Sequence, residues 1–350
     1  MSSERRATAS RGATNLSNPV FRASAPVRLD FAGAWTDVAP FAERERGVVV
    51  SGAIELRARA EVGPGGETWR LRSEDLGESA ELCGRDALVP DGRLDLLKAG
   101  LRRSGLGPCA LRTWSEAPAG SGLGSSGALD VALVAALDAA RGVGRDAVAV
   151  AEEAFQLESV EAALPGGKQD QYAAALGGFN RLVFEKGAVV VEPLALNPAF
   201  VAELARRLVV CYTGTSRVSS RTIARVMGAY QRGDSGVTGA LRAIAEVAER
   251  MTGALRAGDL PRVGSLLAEN WRHQQQLDPG MRTGEMDRLE AAMRGAGALG
   301  GKAAGAGAGG SMFFIAGEDP AAAVRAAREA GARVLPFSWA ARGVIVEAGG

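Results

Sequence analysis

The residues with the means to do chemistry gather around one stretch, residues 116–137 (EAPAGSGLGSSGALDVALVAAL). It begins as a Pro- and Gly-rich loop and turns into an Ala- and Leu-rich helix, with Leu129, Leu133, Ala136 and Leu137 at helical spacing. Gly120, Gly122, Gly124 and Gly127 allow a close backbone approach to a ligand. Ser125 and Ser126 stand where an N-cap is wanted. A glycine loop feeding a helix start offers unpaired N–H groups and a positive dipole end, which suits phosphate. The plainer reading is a flexible loop ahead of a core helix. No Lys-Ser or Lys-Thr pair follows the last glycine, so this is not the Walker pattern.

Two further stretches carry candidates. Residues 26–37 (PVRLDFAGAWTD) place Arg28, Asp30 and Asp37 among apolar residues beside a glycine turn. Such charges fit either a solvated strand face or the wall of a cleft. Residues 302–310 (KAAGAGAGG) set glycines at 305, 307, 309 and 310 just ahead of an apolar strand. Glycine that dense fits a backbone brought close to another loop or to a ligand; the alternative is a low-complexity linker.

Composition narrows the classes. At 350 residues and 47% hydrophobic, the chain can bury the cores of two ordinary domains. Lys+Arg 41 against Asp+Glu 40 leaves no basic excess for broad nucleic-acid binding, while local anion sites stay open. Cys83, Cys109 and Cys211 are too few and too scattered for a disulfide framework or a zinc cluster. A single histidine, His273, excludes a multi-histidine metal site and reads as a solvated or helix-packing residue. No apolar run is long enough to span a membrane, and residues 1–19 lack the apolar centre of a secretory signal. Those residues read as a disordered arm, and the whole as a cytoplasmic protein without nucleic-acid or membrane partners.

The elements that must position these residues mix helices with hairpins. Residues 20–32, 47–62, 69–73 and 110–114 read as strands, and 94–106 as a helix. After the Ser125 helix come a helix at 146–162, a break at 164–168 (LPGGK), a short helix at 170–176 and a hairpin of 178–185 with 188–196. Residues 208–212 read as a buried strand and 219–297 as three or four helices. Strand 311–316, helix 319–330 and strands 334–338 and 343–347 follow. This order predicts an α+β protein of two domains, 20–203 and 204–350, rather than a doubly wound sheet.

The trio PVRLDFAGAWTDV, APAGSGLGSSGA and KAAGAGAGGSMFF resembles, in order and spacing, the three motifs of the GHMP kinases, the galactokinase, homoserine kinase, mevalonate kinase and phosphomevalonate kinase superfamily. The likeness runs from about Arg22 onward. It implies an N-terminal ribosomal protein S5 domain 2-like unit and a C-terminal ferredoxin-like unit with added helices. ATP and a small hydroxylated substrate would lie between them. Residues 166–180 (GGKQDQYAAALGGFN) are similar to the sugar 1-kinase branch, above all the D-glycero-D-manno-heptose 7-phosphate kinases. That branch reads GGGTD where this chain has Gly33-Ala34-Trp35-Thr36-Asp37. The tryptophan is closer to the GGWSD of fucokinases, which puts the sugar, not the chemistry, in question.

Carried over residue by residue, the resemblance makes Asp170 the catalytic aspartate and Arg28 its partner. Pro118, Gly120, Ser121, Gly122, Leu123, Gly124, Ser125, Ser126 and Gly127 become the ATP loop, and Ser126 with Glu158 the Mg2+ ligands. Thr36, Asp37, Gly178, Arg217 and Gly307 become substrate contacts. Lys168 faces phosphate or solvent. Arg217 and Arg221, four apart at the start of a helix, would share one face and read a distal phosphate on the sugar. The implied activity is ATP-dependent phosphorylation of a sugar's anomeric hydroxyl. A free-sugar kinase of the fucokinase kind, or a catalytically silent sensor of ATP and sugar, is the alternative.

Overall fold

The computed structural model describes residues 19–161, 166–214 and 219–348. β1 (Phe21–Ala32) is buried from Ala23 through Ala32 without a break, so it is covered on both faces. After α1 (Phe41–Arg44) comes the 18-residue β2 (Gly47–Pro64), then β3 (Trp69–Ser73) and β4 (Glu78–Leu82). α2 (Asp95–Ser104), β5 (Cys109–Ser115) and α3 (Ser125–Arg141) follow. α4 (Ala147–Gln156) is capped by Asp146, whose carboxylate accepts from the Ala149 N–H. It passes into a π-helical turn, Leu157–Glu161. α5 (Gln169–Leu176), the hairpin of β6 (Phe179–Glu185) and β7 (Ala188–Pro193), and α6 (Pro198–Arg207) complete the first half.

The second half opens with β8 (Leu208–Tyr212) and four helices, α7 (Ser219–Gln231), α8 (Ser235–Ala257), α9 (Leu260–Gln275) and α10 (Gly284–Gly295). β9 (Gly300–Ala303), β10 (Ser311–Ile315), α11 (Pro320–Glu329) and β11 (Arg333–Leu335) follow, with β12 (Ile345–Ala348) last.

These strands form two sheets. The first runs β12-β1-β2-β5-β3-β4, with β6 on the front half of β2 and β7 beyond it. β2 is long enough to serve two partners besides β1, β6 along Gly47 to Gly52 and β5 along Ala58 to Pro64. The second sheet runs β11-β8-β10-β9, all antiparallel. With helices after β8 and after β10, that order is the ferredoxin-like arrangement, and the whole is α+β. β1 is the meeting ground: α3, α5, α8 and α9 all pack against it.

Several expectations change. The 203/204 boundary does not separate the sheets along the chain, because β12 leaves the second unit and pairs with β1, Phe21 opposite Ala348. The boundary falls inside α6, a helix started by Asn197 and Pro198. β4 and β9 are strands that the sequence pattern does not predict. Residues 1–18, and with them the arm read there, lie outside the described residues.

Candidate active site

β1 carries two register shifts against β2, between Pro26 and Val27 and between Asp30 and Ala32. Pro26 lacks the N–H that an unbroken ladder needs, and such irregularities re-aim neighbouring side chains. Between the two shifts, Arg28 points to the head of α5. Its Nε and Nη2 lie 2.9 and 2.7 Å from Asp170 Oδ1. Its Nη1 donates to the carbonyls of Gly122 and Ala304, both at 2.8 Å. One nearly buried guanidinium thus ties a carboxylate to both glycine segments.

Those segments touch directly. The Ser311 N–H donates to the Ser121 carbonyl at 2.7 Å. A Cβ on Gly305 would sit 2.5 Å from the Gly122 carbonyl oxygen, so only glycine fits there. The dense glycines at 305–310 therefore serve both a loop contact and the cleft, which Gly305, Gly307 and Gly309 line with Gly120, Ser121, Gly122 and Gly124.

The start of α3 differs from the sequence reading. Its N-cap is Gly124, at φ +79°, and no side chain caps the helix. Ser125 and Ser126 are the first helical residues, and their hydroxyls turn elsewhere. Ser126 Oγ donates to Glu158 Oε1 at 2.7 Å, and Ser125 Oγ lies 3.4 Å from Ser121 Oγ. The first-turn N–H groups are left for an anion. Pro118, Leu123 and Gly127 support the loop without lining the cleft. The Pro118 carbonyl accepts from the Ser121 N–H, and that of buried Leu123 from the Arg28 N–H. Gly127 lets α5 pass, since a Cβ there would lie 2.6 Å from Asp170 Cβ.

Glu158 stands in the π-helical turn, whose widened backbone brings the carboxylate to Ser126. Gln171 Nε2 donates to its other oxygen at 2.6 Å. Burial raises the Glu158 carboxyl above its usual range, and Asp170 adds to this. Asp37 lines the same cleft. Its Oδ2 accepts from the Gln169 N–H and its Oδ1 from Gln169 Nε2, both at 3.0 Å. Burial, with Asp170 and Asp30 nearby, pushes its carboxyl up to about 7.

Thr36, Gly178 and Lys168 lie elsewhere or do other work. Thr36 is wholly buried; its hydroxyl donates to the Gly33 carbonyl at 2.8 Å and accepts from the Val48 N–H at 3.0 Å, so it holds the turn. Gly178 is away from the cleft: its N–H donates to the Ala340 carbonyl and its carbonyl accepts from the Ala53 N–H, joining β2 to the segment before β12. Lys168 is part-exposed and is not among the residues lining the cleft. Its Nζ is bound by Glu152 at 2.8 and 2.9 Å and lies over the Phe155 ring. Arg217 lies outside the described residues, and Arg221 is exposed on α7.

Sequence reasoning missed Gln169, Gln171, Asp130 and Lys302. Asp130 had a signal: it is a carboxylate set in the apolar first half of α3, four residues after Ser126 and so on the same face. It is wholly buried, and burial, with Glu158 nearby, raises its carboxyl well above the usual range.

The cleft joins an open helix start, a hydroxyl–carboxylate pair and a guanidinium–carboxylate pair, a set suited to holding and moving a phosphoryl group. Among the described residues no three His, Cys, Asp or Glu side chains gather to hold a metal on their own, and no helix is long and apolar enough to cross a membrane.

Comparison with known proteins agrees. Residues 94–178 match the GHMP kinases N terminal domain and residues 251–333 the GHMP kinases C terminal domain. The chain is 30% identical over 334 residues to a D-glycero-alpha-D-manno-heptose 7-phosphate kinase of Campylobacter jejuni, covering 92% of this chain and 97% of the relative. It is 28% identical over 283 residues to a bifunctional fucokinase/GDP-fucose pyrophosphorylase of Arabidopsis thaliana, of which it spans 27%. The crystal structure of a D-glycero-D-manno-heptose 1-phosphate kinase from Bacteroides thetaiotaomicron superposes with a TM-score of 0.76 at 25% identity, over 93% of this chain and 98% of that one. Three motifs in one cleft, a second sheet in the ferredoxin-like order and a relative alike along nearly its whole length lead to one conclusion: the chain belongs to the GHMP kinases and is a phosphotransferase.

Proposed function

We propose that the chain transfers the γ-phosphate of ATP to the anomeric hydroxyl of a sugar, and that the sugar is D-glycero-D-manno-heptose 7-phosphate. The observation that carries the transfer is the Arg28–Asp170 pair facing the glycine segments at the uncapped start of α3. In this reading the first-turn N–H groups of α3 hold the phosphates. Asp170 accepts the proton of the attacking hydroxyl as its oxygen bonds to the γ-phosphorus, and ADP leaves. Arg28 orients Asp170 and faces the charge that builds on the transferring group. Asp37 accepts from sugar hydroxyls.

The donor set also fits Mg2+. Ser126 Oγ and Glu158 are 2.7 Å apart, and Asp37, Glu158 and Asp170 outnumber the single cleft cation, Arg28, among the described residues. One hydroxyl and one carboxylate suit an ion that keeps waters and shares phosphate oxygens. Bound there, Mg2+ would neutralise charge on the nucleotide's phosphates.

Support for a heptose 7-phosphate comes from residues 166–180 and from the Campylobacter relative. Trp35, buried in the cleft wall at φ +83°, favours a second reading, a free-sugar kinase of the fucokinase kind. Coupled ADP release decides between them. The first reading expects the 7-phosphorylated heptose to be used at least ~10-fold better in kcat/KM than the unphosphorylated heptose or fucose, because a charge-assisted contact is typically worth that much. Equal or better use of fucose favours the second. Sugar binding without ADP release favours the silent sensor.

A further inference from the structure

Two cations cross the seam between the sheets, one given by each side. Arg28 on β1 donates to the Ala304 carbonyl just past β9, at 2.8 Å. Lys302 on β9 donates back to the Asp30 carbonyl, also at 2.8 Å, and to Asp30 Oδ2. Residues 28 and 30 are two apart on an extended strand, hence on one face, and the same spacing separates 302 from 304. The two segments are clasped at two points by reciprocal contacts.

The inner clasp is wholly dry. Lys302 and Asp30 side chains both have 0% exposure, and Asp30 Oδ1 finds no partner among the described residues. Burial pulls the Lys302 ammonium below its ordinary range, and Arg28 pushes the same way while Asp30 opposes. Stability does not explain such a pair, since well-packed apolar residues of similar volume usually serve as well or better. Its place does. Lys302 stands three residues before Gly305, whose backbone is against Gly122 with no room for a methyl group. The same segment supplies the cleft wall at 305, 307 and 309.

We propose that Lys302, through Asp30, is a positioning residue for the phosphate cradle: the pair sets the distance of the second glycine segment from β1, so that it and the first glycine loop meet the nucleotide as one surface. This rests on reading those two segments as the nucleotide's cradle. A shift of about 1 Å in a binding surface can cost up to ~100-fold, and contacts as close as Gly305 on Gly122 leave no slack to absorb it.

The test uses the full chain as Lys302→Met, Asp30→Val and the double variant. Thermal unfolding, calorimetric titration with a non-hydrolysable ATP analogue in the absence of sugar, and amide exchange across 304–310 are measured on each. Lys302→Met strands a buried carboxylate and should unfold well below the parent. The double variant strands no charge, leaving only the residue-30 carbonyl without its Lys302 donor, and should recover most of the Tm. It should still bind the analogue roughly 10-fold or more weakly and exchange faster across 304–310. A double variant that recovers the Tm and binds like the parent makes the pair merely structural and overturns the proposal. If the double variant does not fold, Lys302→Arg keeps the charge but lengthens the head. Weakened binding there supports the proposal and parent-like binding overturns it. A parent that binds no analogue overturns the cradle reading and this proposal with it; parent binding with unchanged variants overturns this proposal alone.

Discussion

Asparagine at position 37 should stabilise the protein at alkaline pH while impairing it as an enzyme. Asp37 is only 5% exposed, and burial, helped by Asp170 and Asp30, raises its carboxyl from 3.8 to about 7. In the unfolded chain the group ionises near pH 4. Between there and pH 7 the folded chain still holds a proton that the unfolded chain has lost. Stability tied to this group therefore falls as pH rises through that window. At about 1.36 kcal/mol per pH unit the loss approaches about 4 kcal/mol above pH 7. Asparagine cannot ionise and so avoids it. The replacement also leaves no donor stranded. The carboxamide oxygen it introduces can keep the Gln169 N–H, and Gln169 Oε1, which has no partner among the described residues, can turn to accept from the new amide nitrogen. Urea unfolding of parent and Asp37→Asn is the assay. The two should be nearly equal near pH 4.5, and the variant ahead by about 2–4 kcal/mol at pH 8. KM for the sugar should rise severalfold in the same variant. A stability difference that stays flat from pH 4.5 to 8, or that turns against the variant as pH rises, refutes the reasoning.

Asp170→Asn should keep the fold and ATP binding and lose ~100-fold or more in kcat, as removal of a general base does; turnover within about threefold of the parent would take the base role from it. Glu158→Gln should raise the Mg2+ concentration needed for half-maximal rate at saturating sugar, and an unchanged Mg2+ titration removes Glu158 from the metal site. Gly127→Ala drives a methyl group against Asp170 Cβ, 2.6 Å away. It should cost about 1–3 kcal/mol by overpacking and lower kcat with it; a thermal scan and kcat equal to the parent's would show that α5 gives way freely.

Much of the cleft is legible in the sequence because its signals are local. Four glycines before an apolar helix mark residues 120–127 as close to something, and a glycine run before an apolar strand marks 305–310. What is not legible depends on partners far along the chain. Lys168 reads as free until α4 brings Glu152 to it from 16 residues away. Thr36 and Gly178 lie among site-like residues, yet their polar atoms are taken by backbone from Gly33, Val48, Ala53 and Ala340. Ser125 and Ser126 have the cap residue types, but with Glu158 beside Ser126 the hydroxyl is better used there, and Gly124 caps instead. The ends of β1 and β12 are over three hundred residues apart, and nothing in either segment announces the other.

That last pairing bears on how the chain comes to be made. β1 is synthesised early, and one of its two edges waits for residues 345–348. At roughly 5–20 residues per second the wait is on the order of tens of seconds. Through it, those N–H and C=O groups of β1 from Phe21 to Ser24 that face away from β2 stand open, a template for any passing strand. The second sheet faces no such delay, since β8, β9, β10 and β11 all fall between Leu208 and Leu335. A nascent chain can thus finish its later sheet before its earlier one. A chain stopped ahead of residue 345 keeps every cleft residue described above and still carries that open edge, so clumping, rather than faulty phosphoryl transfer, is the first symptom it should show.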